Sequence, residues 1–464
     1  MGVSDARHRP KRRFPELSSL AGLSVKIVCV GVISCLILAA LGYMVTGGRG
    51  SITGSTMRDL YAQQRVDLVF LGSSTVYESC DPAAFDAELD ISAFNAATPA
   101  QTMRESYYQL KEVCRLYRPG RVLLGVDPWR IMEPIERDSL SSSYLFDNMR
   151  WSAVKAEFMA DAFDLDYYPS ALFPIVRLRE NVTMKDIEDA IKGRLSRRDN
   201  STKLVNPSRG GAVDLHYEGK GYVANLQAIE DGTLPEAPPL GFSGPDSVAA
   251  GPMGYLTKIG RLCEENGMEL TFFQTPLLPG ATEWVGDYAA YHDFIADRAK
   301  GMGAGFMDFN YLDPGIIAYE DGMFSDLEHT TADFARRFSD VFAGLLAGDG
   351  TERGTGAPTR EDAFFTGYGT YLDLYKAVAS TWVTEADADS AGVASVGTAS
   401  PEYRVAVLTD DEDMEPVRTT DWQTGREAAY PALEPGDYIV TVEARPLGDE
   451  EAEPKGNWKE LHVD

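Results

Sequence analysis

The chain has 464 residues, which at about 150 residues per domain implies two or three folded units. Hydrophobic residues make up 44% and charged residues 25%, ordinary globular usage that excludes wholesale disorder. Acidic residues outnumber basic ones by 71 to 43, a formal charge of −28, which speaks against a nucleic-acid-binding surface; five cysteines exclude a disulfide scaffold and any multi-cysteine metal site.

The charge is unevenly spread. Residues 1–26 carry Arg7, Arg9, Lys11, Arg12, Arg13 and Lys26 against Asp5 and Glu16, and read as a basic cytoplasmic tail. Residues 27–46 follow without a charge, long enough to cross a hydrocarbon core of about 30 Å. By the positive-inside rule the N-terminus stays in the cytoplasm and the bulk is exported. A cleaved signal peptide competes with this reading, but its apolar region spans only about 7–15 residues. Leu38–Gly42 is also a poor cleavage site, so the expectation is an uncleaved signal anchor of a single-pass cell-membrane protein. Residues 47–61 are a linker that begins rich in Gly, Ser and Thr. Cys80, Cys114 and Cys263 then lie outside, an odd number that allows at most one internal disulfide; small buried thiols are the simpler reading.

Residues 62–347 alternate strand-like and helix-like segments, the signature of βαβ units and a mostly parallel sheet in a three-layer α/β fold. Strands are expected at Val66–Leu71, Ile91–Phe94, Arg121–Val126, Met268–Phe273 and Gly305–Asp308. Helices are expected at Pro99–Tyr117, Met253–Asn266, Asp287–Met302 and Thr330–Leu346. From about 130 to 250 the rhythm breaks into an aromatic-rich insertion, either self-packing or a lid over the sheet. Residues 348–362 form a second linker, rich in Gly. Beyond it the period changes to two, at Tyr403–Leu408 and Leu433–Val442, which predicts a β-sandwich module over 363–464. Asp410–Asp413 lacks the spacing of a calcium loop and reads as a solvated hairpin tip.

The sharpest local signal is Val69-Phe-Leu-Gly-Ser-Ser-Thr75, a strand leading directly into a glycine and two serines. Ligands in open α/β sheets bind outside the carboxyl ends of strands, where this turn must lie. Alone it is also the composition of an ordinary helix cap. Far downstream, Phe324-Ser-Asp-Leu-Glu-His-Thr-Thr331 precedes the last helix. A serine nucleophile needs a base, and the base needs an orienting carboxylate. Among the five histidines, only His329 has an Asp three residues before it at a strand-to-helix junction.

Together these motifs resemble those of the SGNH hydrolase superfamily. Ser74 matches its nucleophile, and Asp326 and His329 match its other triad members. The membrane segment, the Gly-Ser-Ser variant and Phe272-Phe-Gln-Thr-Pro-Leu277 are most similar to the membrane-anchored DltD/AlgX-like branch. That resemblance implies a three-layer, flavodoxin-like domain outside the cytoplasm. It also implies movement of acyl groups, acetyl or D-alanyl, onto cell-envelope polymers, beside a multipass membrane acyltransferase. The superfamily's oxyanion donors come from a Gly and an Asn. Here Phe94-Asn-Ala-Ala-Thr-Pro-Ala-Gln101 lacks the glycine, and Asp127 stands where the Asn belongs. The oxyanion then falls to the Ser74 backbone N–H and Asn95, with Asp127 in some other substrate-binding role.

The expected function is thus an O-acyltransferase or acyl esterase acting on an envelope polysaccharide through Ser74, His329 and Asp326, without cofactor or metal. The alternative is a non-catalytic SGNH-like protein that binds envelope glycan or assists assembly. The C-terminal module has no Ser/His/Asp set of its own. It is expected to position a partner while the α/β portion folds without it.

Overall fold

The uncharged stretch near the N-terminus forms one helix, α1 (Leu17–Val45), in the computed structural model of the chain. Within it, Gly22–Gly42 runs for 21 residues at a mean hydropathy of 2.5, long and apolar enough to cross a membrane. Its apolar side chains, among them Ile27, Val30 and Leu36, face outward. At its far end Gly42 lies so close to Pro174 that a Cβ would come within 2.9 Å of the ring. The structure describes residues 17–45, 51–178, 203–204, 214–229, 236–348, 364–411, 414–452 and 454–463. Most of the basic tail, the start of the first linker, nearly all of the second, and two residues of the acidic hairpin tip lie outside the described residues.

The chain continues through α2 (Ile52–Leu60), β1 (Leu68–Leu71), α3 (Ser74–Ser79), α4 (Pro82–Leu89), β2 (Ala93–Asn95), α5 (Met103–Leu116) and β3 (Arg121–Gly125). Five short helices follow: α6 (Pro128–Met132), α7 (Leu140–Asn148), α8 (Ala153–Ala162), α9 (Tyr168–Leu172) and α10 (Pro174–Leu178). A small antiparallel sheet comes next, made of β4 (Lys203–Leu204), β5 (Leu215–Gly219) and β6 (Tyr222–Asn225). The α/β rhythm resumes with α11 (Ala250–Asn266), β7 (Glu269–Gln274), α12 (Thr282–Val285), α13 (Tyr288–Gly301), β8 (Gly305–Asp308) and α14 (Ala332–Gly348).

β1, β2, β3, β7 and β8 form one parallel sheet in the order β2-β1-β3-β7-β8. Their residues are nearly all buried, which is why they read as continuous apolar runs and not as alternating ones. Phe70 of β1 meets Phe85 of α4 edge-on at 4.8 Å between ring centroids, and Phe273 of β7 packs on Phe342 of α14 in a tilted pair at 5.2 Å. α5, held at its start by a Thr102–Glu105 capping box, packs on α11, which stops at Gly267 in a left-handed conformation. Because β1 pairs with β2 on one side and β3 on the other, the segments after all three strands emerge at one sheet edge. That edge gathers Gly72–Ser74, Asn95 and Asp127.

Among the described residues of the insertion, the aromatic side chains of its first part pack on one another. Phe146, Phe158 and Phe163 are buried in mutual contact, and Phe158 also lies 4.9 Å from Tyr108 of α5. All five cysteines are free.

The C-terminal segment begins with α15 (Tyr368–Leu374) and continues as β9 (Val378–Ala386), β10 (Ser390–Gly397), β11 (Pro401–Thr409), β12 (Pro416–Thr419), β13 (Glu427–Ala429), β14 (Gly436–Pro446) and β15 (Lys455–Val463). Two antiparallel sheets, β13-β10-β9 and β12-β11-β14-β15, close on a shared core that includes Val383, Val393, Tyr403, Val405 and Val442. One expectation is corrected here. The α/β portion is not complete at the second linker, because residues 364–382 are packed into it. Asp313 N–H donates to Phe364 O, Gly280 N–H to the Tyr371 hydroxyl and Tyr319 N–H to the Tyr375 hydroxyl, at 2.8, 3.0 and 2.9 Å. Ala379 and Trp382 of β9 join the same core as the parallel sheet. The first six residues of β9 are therefore all buried, and that strand shows no alternation in the sequence.

Candidate active site

β1 runs straight into the turn at Gly72, whose φ of 150° lies where side chains are rarely tolerated. A Cβ on Gly72 would sit 2.4 Å from Val76 Cγ2, and one on Gly125 of β3 would sit 2.3 Å from the same atom. The two glycines thus let Val76, and with it α3, settle directly onto the end of the sheet. Ser74 is the first residue of α3 and half-buried, so its hydroxyl stands at the sheet's carboxyl edge.

The second half of the site is a tight turn closed by a Phe324–Thr330 bridge and by Ser325 N–H donating to His329 O at 2.9 Å. Inside it, Asp326 Oδ1 accepts the backbone N–H groups of Glu328 and His329 at 3.0 and 2.9 Å. Both carboxylate oxygens of Asp326 lie 2.8 Å from His329 Nδ1. A carboxylate only accepts hydrogen bonds, so Nδ1 carries the proton and Nε2 offers its lone pair. That lone pair faces Ser74 Oγ at 2.7 Å. The structure therefore brings Ser74, His329 and Asp326 into one relay, with the imidazole nearly enclosed at 8% side-chain exposure.

The other two anticipated site residues are placed differently. Asn95 is fully buried, and its amide donates to Val76 O at 3.0 Å and Cys80 O at 2.9 Å. Both of its N–H groups are consumed in bracing α3, which removes it as an oxyanion donor. Asp127 accepts from Trp129 N–H at 2.9 Å and from the Ser73 hydroxyl at 2.8 Å. It caps α6 and anchors the turn before Ser74.

Several residues of the site carried no signal in the sequence. Asn225 of β6 donates to Glu78 Oε2 at 2.9 Å and to Ser325 Oγ at 2.8 Å, tying α3 to the histidine turn. Thr330 Oγ1 donates to Glu78 O at 3.2 Å. Glu328 has its Oε2 atom buried without a hydrogen-bond partner. Beside Asp127, Trp129 stacks on Trp284 with ring centroids 5.9 Å apart. Among the described residues, no cluster of His, Cys, Asp or Glu has the arrangement to hold a metal ion.

No protein-family model matches this chain, and no curated protein matches it. Among solved structures it is similar to one described as a lipolytic protein of the G-D-S-L family from Desulfitobacterium hafniense DCB-2. The two share 12% sequence identity over 60% of this chain and 97% of the other, with a TM-score of 0.26. A likeness at that score carries no argument, so the functional reading rests on the geometry above.

Proposed function

We propose that this chain is a membrane-anchored serine acyl-transfer enzyme, an acyl esterase or O-acyltransferase working on an envelope polysaccharide outside the cytoplasm. The observation that carries the chemistry is the continuous Asp326–His329–Ser74 hydrogen-bond relay, with 2.7 Å from His329 Nε2 to Ser74 Oγ. Ser74 Oγ attacks the acyl carbonyl while His329 Nε2 takes its proton. Asp326 holds the ring in the tautomer that can accept it and stabilises the imidazolium. The alcohol of the ester leaves with that proton, and water or a sugar hydroxyl resolves the acyl-enzyme by the reverse sequence. No step requires a cofactor or a metal. The long apolar α1 supports the anchor. The exported orientation rests on the basic residues before it, and the envelope polymer on the sequence resemblance.

One observation favours a second reading, a non-catalytic SGNH-like envelope protein that binds glycan or assists assembly. Neither Asn95 nor Asp127 presents a donor toward an oxyanion. Covalent labelling of the full chain with a serine-directed phosphonate separates the two readings. The enzyme reading expects one adduct at Ser74, abolished by His329→Ala. A folded protein that takes up no label is the non-catalytic one.

A further inference from the structure

Among the described residues, α1 meets the rest of the chain at its far end. It is exposed from Gly22 to Ile37, half-buried at Leu38 and Leu41, and buried at Gly42. At 1.5 Å per residue, Gly22–Gly42 is about as long as a hydrocarbon core is thick, roughly 30 Å. A bilayer crossed by α1 therefore has one of its surfaces at Gly42, and whatever packs on Gly42 lies at that surface. The residue packed there is Pro174, the first of α10.

The stretch Tyr168–Leu178, which forms α9 and α10, contains a single charge, Arg177. That side chain is turned inward and only 10% exposed, donating to Asp147 Oδ2 of α7 at 2.5 Å and to Ser170 O at 3.2 Å. Leu172 is exposed and Phe173, Pro174, Ile175 and Val176 are half-exposed, so the outward surface of the pair is mainly apolar. Asp147 marks the side of α7 that faces α10. Tyr144 and Leu140, three and seven residues before it, share that side and are exposed. Half of the exposed large apolar side chains described outside α1 fall within this part of the insertion: Leu140, Tyr144, Trp151, Leu165 and Leu172. Trp151, with Lys155 Nζ 4.8 Å from its ring, and Leu165, between Asp164 and Asp166, stand among charges and mark the edge of the face. An apolar face gathered in one place signals a partner surface.

We propose that α9 and α10, with Leu140 and Tyr144 of α7, rest in the interfacial layer of the same bilayer that α1 crosses. The α/β portion is then seated on the membrane at a second point and not merely tethered to it. The occupant is lipid, because the face continues directly from the end of the apolar helix and its one charge is withdrawn onto Asp147. Leucine and a tyrosine ring are side chains suited to the boundary between headgroups and acyl chains. This rests on α1 spanning a membrane, as read above, and is independent of the chemistry at Ser74.

The test places the full chain in phosphatidylcholine vesicles whose acyl chains are either plain or brominated near the headgroup, bromine being a contact quencher of tryptophan. Leu172→Trp and Tyr144→Trp each add one tryptophan, and the parent's emission is subtracted. Brominated lipid should dim the added emission at both positions by about twofold or more, as for an interfacial side chain. Adding Leu172→Asp to Tyr144→Trp should remove most of that dimming while alkaline carbonate still leaves the protein with the vesicles through α1. Added emission that bromine leaves unchanged, or that dims equally with Asp at position 172, overturns the seating while the anchor stands. A parent chain that carbonate strips from the vesicles removes the membrane-spanning reading of α1 and this proposal with it.

Discussion

The hydroxyl oxygens of Ser79 and Thr330 lie 3.0 Å apart, joining the last residue of α3, which begins at Ser74, to the residue after His329. Thr330 Oγ1 also donates to Glu78 O, and Ser339 Oγ of α14 donates to Ser79 O at 3.1 Å. The 2.7 Å contact between Ser74 and His329 is therefore the outcome of a clamp at the other end of α3. These groups are fully buried, so each bond is held in a low-dielectric setting where an unmade one is costly.

Thr330→Val keeps the volume and deletes the hydroxyl. The variant should lose about 1–3 kcal/mol of stability, because the Glu78 carbonyl and the Ser79 hydroxyl are left buried without it. Its kcat should drop further than its KM rises, since the missing clamp displaces His329 from Ser74 and not the substrate from its pocket. Denaturation midpoints and steady-state kinetics read the two effects separately.

Ser74→Ala and His329→Ala should each abolish most acyl release, and the double variant should fall little further, because the two act as one unit. Ser73→Ala should behave differently. Its hydroxyl points away from His329 to Asp127, so its loss leaves a buried carboxylate one partner short. A stability cost of about 1–3 kcal/mol with most turnover retained is the expected pattern. Silent stability and lost turnover in Ser73→Ala would show that the nucleophile is the other serine.

Glu328→Gln should also change how stability depends on pH, without reference to activity. A carboxyl raised to about 8 in the folded chain holds its proton there, while the unfolded chain has released it above about pH 4.3. The folded state binds more protons across that window, so stability falls as pH rises through it. The glutamine variant lacks this loss. Its melting temperature should exceed the parent's at pH 8–9 and converge with it near pH 4. Parallel melting curves at every pH would mean that Glu328 is ionised in the folded protein.

Tyr371→Ala should destabilise the α/β portion although it lies beyond the second linker. Tyr371 is 1% exposed, stacks on Tyr368 at 5.8 Å, and accepts the Gly280 N–H. Emptying so large a buried site costs about 3–5 kcal/mol. A chain cut before residue 364 should lose still more and aggregate through the exposed rings of Tyr288, Tyr311 and Tyr319, which light scattering would detect.

The strands around the site were legible because each is a short apolar run ending at a glycine or polar turn, and burial on both faces is what makes such runs continuous. Gly-Ser-Ser and Asp-x-x-His were legible for a chemical reason: a serine, an imidazole and a carboxylate at turn positions have few other uses together. The role of Asn95 was misread because its residue type fits a donor to substrate as well as it fits a brace for α3. Only the positions of Val76 O and Cys80 O decide between them. β9 escaped notice because one of its faces packs on β-sheet residues and the other on the α/β core, which erases the period of two.

Local pattern therefore determined the apolar N-terminal helix, the parallel α/β unit with its β-rich tail, and the identity of the three relay residues. These depend on periodicities and turn chemistry spanning a few residues each. The tertiary structure alone decided that Asn95 and Asp127 face inward as braces, that one carboxyl oxygen of Glu328 is buried without a partner in the His329 turn, and that residues 364–382 pack into the α/β core. Each of those depends on groups brought together from distant parts of the chain, as with Ser79 and Thr330, 251 residues apart in sequence. A side chain's spacing along the chain carries no record of which distant backbone groups will need its hydrogen bonds once water is excluded.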